Sequence, residues 1–169
     1  MAAPELWLQA RGNKTDGDIF TDMELYAKAK TDATNASERG VIDWLSDRVD
    51  AEALLKHWGL DPAGNLVEQR TTDGHTAMCH ACGTGELGVA RWLFAHGAAE
   101  QLRTPDSKGW TPMMWACFEG FLNISTWLFQ MGAAEDIRTT DEAQQTPLYW
   151  AQSRGHVEVV RWLCEVGNA

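Results

Sequence analysis

Along this chain, short apolar blocks alternate with polar, glycine-bearing breaks, and from residue 74 onward one arrangement of blocks is written three times. Val89, Trp92 and Leu93 share a helical face, as do Ile124, Trp127 and Leu128, and then Val159, Trp162 and Leu163. A shorter segment precedes each of these, carrying a small residue (Ala81, Ala116, Ala151) where a neighbouring helix must come close. Thr-Pro at 111–112 and 146–147 predicts a helix start, with threonine as N-cap and proline in the first helical position. Gly85, Gly120 and Gly155 end that first helix, and Gly97, Gly132 and Gly167 end the second. An extended arm such as Asp136-Ile137-Arg138-Thr139 is expected to return the chain to the next unit.

The register is strict. Thr76, Thr111 and Thr146 stand 35 residues apart, and the same step links the three alanines, both glycine sets and Trp92, Trp127 and Trp162. A period of this length predicts an array of supersecondary units, each unable to bury its apolar face alone. The tryptophan column is expected to stack into a core seam, with a cost of about 3–5 kcal/mol for losing one ring. Trp115 and Trp150 share a second column.

Upstream, Ile19, Phe20, Met23, Leu25, Tyr26 and Ala29 predict a helix from residue 18 to about 30, capped by Asp16 or Asp18. A polar linker leads to a helix over about 36–48 bearing Val41, Ile42, Trp44 and Leu45, with Asn35 or Ser37 as its cap. A third runs over about 51–58 and stops at Gly59. The organisation is therefore a flexible or partner-ordered arm (1–17), a helical region (18–69) ending in a degenerate capping repeat, and three repeats (70–169). The fold class is all-α, a short solenoid of helix-turn-helix units behind an N-terminal helical region.

Asp106-Ser107-Lys108-Gly109-Trp110-Thr111-Pro112 and Gly155-His156-Val157-Glu158-Val159-Val160 carry the motif of a known family. On these residues the chain resembles the ankyrin repeat family, over residues 70–169. Three departures stand out. The family's histidine after Thr-Pro-Leu, which ties adjacent repeats together, is Cys79, Met114 and Tyr149 here, which puts tight turn-to-turn bonding in doubt. Gln144 stands where the third turn expects glycine, and the first turn counts two residues short when Arg70 is aligned with Arg103.

The resemblance implies recognition of a protein through variable turn and first-helix positions. Those are Asp73, His75, Gly83 and Thr84, then Ser107, Lys108, Trp110, Phe118 and Glu119, then Glu142, Ala143, Gln145, Ser153 and Arg154. Trp110 and Phe118 are large apolar residues expected to be exposed there, so Trp110→Ala is expected to weaken binding and barely move the unfolding midpoint.

Charge and chemistry narrow the function classes. A net charge of −10 argues against nucleic acid and suits a basic partner. No apolar run reaches membrane-span length, and residues 1–18 lack a secretory core. The compartment is expected to be reducing and intracellular, cytoplasmic by default, or an organelle interior if a transit peptide precedes this numbering. Cys79-His80-Ala81-Cys82 looks like a metal or redox motif, yet Cys82 and Cys117 share a column, so the spacing follows from the repeat. The five histidines converge on no nucleophile, and no glycine-rich phosphate loop is present. Hence no catalytic residues, cofactor, metal or small-molecule substrate are expected. The leading expectation is a non-enzymatic adaptor or scaffold. The alternative is a structural subunit built permanently into a large assembly, in the cell body or an organelle.

Overall fold

The computed structural model describes residues 50–167. The arm at 1–17 and the helices expected over 18–30 and 36–48, with their caps, lie outside the described residues. Within them run seven helices: α1 (Ala51–His57), α2 (Ala77–Thr84), α3 (Leu87–Ala95), α4 (Pro112–Glu119), α5 (Leu122–Leu128), α6 (Pro147–Arg154) and α7 (Val157–Gly167). Helices α2 and α3, α4 and α5, and α6 and α7 form three hairpins, and α4 packs between α2 and α6.

The caps follow the sequence. Thr76, Thr111 and Thr146 each accept a bond from the backbone N–H three residues on, at 3.0, 3.3 and 3.3 Å. Gly85 turns out of α2 with φ 80°, and a Cβ there would stand 2.8 Å from the Phe121 ring of the next repeat. Glycine at that column therefore serves both the left-handed turn and the close stacking of hairpins. At the corresponding place one repeat later, the His156 ring lies under Gly120 and its Nε2 donates to the Phe118 carbonyl at 2.9 Å. Gly167 is the last residue of α7.

The core is one continuous seam. Ala77, Ala81, Cys82, Val89, Leu93, Ala116, Cys117, Ile124, Leu128 and Ala151 are wholly buried along it. The tryptophan column does not stack on itself as expected. Trp127 meets Phe94 of the preceding repeat (centroids 6.0 Å apart), Trp162 meets Phe129 (5.8 Å), and Trp92 lies flat on His96 (4.2 Å). Helical geometry sets each indole beside the residue two positions further along the previous copy, so the seam alternates tryptophan with phenylalanine. Only Trp127 is buried, at 9% exposure, while Trp92 and Trp162 are half-buried. The full expected cost therefore attaches to Trp127 alone.

The connections correct two further expectations. Asp136–Arg138 is not an extended arm: Ala134–Arg138 forms a 3-10 turn, as does Ala99–Leu102 in the preceding repeat, and the chain extends only at Thr139. Buried Gln101 anchors the first of these, accepting from Met78 N–H (3.1 Å) and donating to the Leu66 carbonyl (2.7 Å). Its counterpart Asp136 cannot donate, and pairs with Arg103 instead (Nε to Oδ1, 2.8 Å), while Arg103 also reaches Glu135 at 3.0 Å. Burial pushes the Asp136 carboxyl up and Arg103 pulls it only partly back, and its Oδ2 has no hydrogen-bond partner.

The first turn is also not short. Thr71–His75, Asp106–Trp110 and Asp141–Gln145 close with the same pair of backbone bonds, so Thr71 occupies the aspartate column. Arg70 only mimics Arg103 in sequence; its guanidinium binds the carbonyls of Val67 and Gln69.

Candidate protein-binding surface

The turns and first helices together build a continuous ladder of rings. In the two complete steps, a ring at the turn wedges between the first-helix ring of its own repeat and that of the next. His75 lies 6.0 Å from His80 and 4.9 Å from Trp115. Trp110 lies 4.7 Å from Trp115 and 4.9 Å from Trp150. Trp58, from the end of α1, extends the ladder by packing edge-on against His80 at 4.6 Å. At the other end Gln145 takes the turn position and the ladder stops. Phe118 closes one side, 5.1 Å from Trp110 and 5.6 Å from Trp150, and the Arg154 guanidinium stands 4.0 Å over its ring.

Buried aspartates lock the indoles. Oδ1 of Asp106 accepts from the Lys108 and Trp110 N–H groups (2.9 and 3.0 Å), and Oδ2 accepts from Trp115 Nε1 (2.9 Å). Asp141 repeats the arrangement with Ala143 N, Gln145 N and Trp150 Nε1 (2.9, 2.9 and 3.0 Å). Each carboxylate thus shapes its turn and fixes an indole with a charge-assisted bond. In the first repeat His80 replaces the tryptophan and Thr71 replaces the aspartate, bonding only His75 N–H at 3.2 Å.

Such a surface comes from a helical repeat whose hairpins stack through a turn and a first helix, and the sequence comparisons agree. The family model described as Ankyrin repeats (3 copies) matches residues 35–141, and that described as Ankyrin repeat matches 144–169. The chain belongs to the ankyrin repeat family. No curated protein matches it.

Within this ankyrin array the implied recognition positions divide by depth. Asp73, Ser107, Lys108, Glu119, Glu142, Ala143, Ser153 and Arg154 are exposed, whereas His75, Gly83, Thr84, Trp110, Phe118 and Gln145 are half-buried. Trp110 and Phe118 are therefore not the free apolar residues the sequence led one to expect. They brace one another, and Trp110→Ala will lower stability as well as alter the surface. Glu142 folds over Gly109, at 3.4 Å from where a Cβ would stand, while Glu119 and Arg154 occupy successive places in one column. Sequence reasoning missed Trp58, His80, Trp115 and Trp150 as parts of this surface. For His80, Trp115 and Trp150 the signal was present in their shared column and in its pairing with 71/106/141; Trp58 lies outside that column.

The departure at Cys79 turns out to be compensated. Its thiol lies 3.4 Å from the Trp110 carbonyl and 3.6 Å from that of Thr104, donating across the repeat boundary where the family uses histidine. Burial pushes Cys79 and Cys117 up to about 12 and Cys82 well above its ordinary value, so these thiols stay protonated and unreactive. Among the described residues, no cluster of acidic, histidine or cysteine side chains could hold a metal, and no helix is long and apolar enough to cross a membrane.

Proposed function

Ankyrin repeats are protein–protein interaction modules, and we propose that this array is a non-enzymatic adaptor whose partner lies against the turn and first-helix face. The observation that carries this reading is the ladder itself. Half-buried rings, held rigid by buried aspartates, are concentrated on the face the family uses for recognition. Aromatic anchors of low conformational freedom bind at small entropic cost.

A second reading, a fixed subunit of a large assembly, draws on the outer face of the last repeat. Tyr149 is 47% and Val157 66% exposed there, although their column mates Met114 and Leu87 are buried. The test immobilises the protein and recovers its partner from the native source, comparing Trp110→Gln/Phe118→Ser with Tyr149→Glu/Val157→Lys, each checked for folding. Gln and Ser are the residues the third repeat carries at those columns, Gln145 and Ser153. Loss through the first pair supports the adaptor. Loss through the second pair alone, with salt-resistant elution in a large complex, supports the subunit. Retention by both refutes recognition at either face.

A further inference from the structure

We propose that the turn and first-helix face docks a basic protein segment, with an arginine side chain of the partner stacking on the ring cluster of Trp110, Phe118 and Trp150. This rests on the adaptor reading and names the chemistry of its partner.

Three observations lead to it. The protein already makes the contact internally: Arg154 is exposed yet rests 4.0 Å over Phe118, so this ring attracts a guanidinium in water. The indole N–H groups of Trp115 and Trp150 donate to carboxylates at 2.9 and 3.0 Å. An anion on the ring edge raises electron density over the ring face, and the same bonds withdraw the Trp115 and Trp150 donors from any acidic ligand. Finally, among the exposed recognition positions the acidic Asp73, Glu119 and Glu142 outnumber the basic Lys108 and Arg154, in a chain of net charge −10. The rim thus adds long-range attraction, while the rings supply the preference for a planar, weakly hydrated cation over a compact ammonium.

The experiment measures anisotropy of labelled nine-residue arginine and lysine peptides with the intact protein at low and physiological salt. The arginine peptide is expected to bind roughly tenfold more tightly than the lysine peptide, and to keep part of that advantage at higher salt. Phe118→Ser should abolish most of the preference. Arg154→Ala removes an internal competitor from an exposed site, and should tighten the arginine peptide severalfold. Equal affinities for the two peptides, both lost with salt and untouched by Phe118→Ser, would overturn the inference, as would unchanged or weaker binding by Arg154→Ala. The two levels separate cleanly. If the peptides fail while Trp110→Gln/Phe118→Ser still releases the native partner, the adaptor reading stands and the basic-segment inference falls. If that pair also leaves the native partner bound, both fall.

Discussion

The pairing of aspartate with tryptophan is the arrangement most open to quantitative attack. Asp106 and Trp115 can be exchanged for the residues the first repeat carries in the same columns, Thr71 and His80, so every variant uses side chains this architecture already accommodates. The bond from Trp115 Nε1 to Asp106 Oδ2 is 2.9 Å long, and the Asp106 side chain is 0% exposed, so solvent neither screens nor replaces it. A hydrogen bond to a buried charged group contributes about 1.5–3 kcal/mol. Asp106→Thr keeps one turn bond, as Thr71 does, but loses the Lys108 and indole bonds, for a cost of about 2–4 kcal/mol. Trp115→His leaves Oδ2 buried without its donor and removes a ring packed on Trp110 and His75, at a similar cost of about 2–4 kcal/mol.

If the indole bond is what couples them, the double variant falls short of the sum by about 1.5–3 kcal/mol, because the single losses count that bond twice. Urea unfolding of the four proteins, fitted with a common m-value, measures the coupling. Additivity to within about 0.5 kcal/mol would refute the reasoning and demote the aspartate to a turn former.

Two further outcomes follow from single features. Gln144 holds φ 59° where Gly74 and Gly109 sit at 83° and 76°; Gln144→Gly relieves that strain and should raise stability by about 0.5–1 kcal/mol despite the freer unfolded chain, so a lower urea midpoint would contradict it. The buried thiols make stability alkali-sensitive: their folded values lie above the ordinary 9.0, so their contribution is intact below pH 9 and is lost as pH climbs toward about 12. Each should cost about 1.4 kcal/mol per pH unit in that window, and the triple alanine variant of Cys79, Cys82 and Cys117 should show a flatter decline. Native-state alkylation should mark the exposed Cys164 and spare those three.

What the sequence revealed was the part of the repeat whose role lies within a single unit. Threonine caps, glycine turns and the Val89/Ile124/Val159 core column each needed only their own unit's geometry, and the structure shows them in place. Misreadings arose where a residue's role depends on the neighbouring unit. Arg70 resembled Arg103 because both precede a threonine, yet Arg103 owes its place to Asp136 one repeat away and Arg70 to carbonyls of its own loop. The 3-10 turns were hidden because four or five residues are too few for a helical period. Trp110 read as exposed because a turn tip is normally wet; that Trp150 of the next repeat stands 4.9 Å away follows only from how closely hairpins stack.

The contrast between columns also bears on what the array recognises. Positions that act within their own hairpin keep one residue type at every step, as Thr76, Thr111 and Thr146 do, because each unit poses the same capping problem. The ladder's turn column changes at each step, from His75 to Trp110 to Gln145, and the helix column from His80 to Trp115 and Trp150. Aspartate stands wherever tryptophan does in these columns, and Thr71 with His80 closes the same turn without either. A surface that differs at each step cannot be satisfied equally by a ligand slid along it by one repeat. A partner docked on this face as proposed would be held in a single register, set by the one place where Trp110 sits between Trp115 and Trp150.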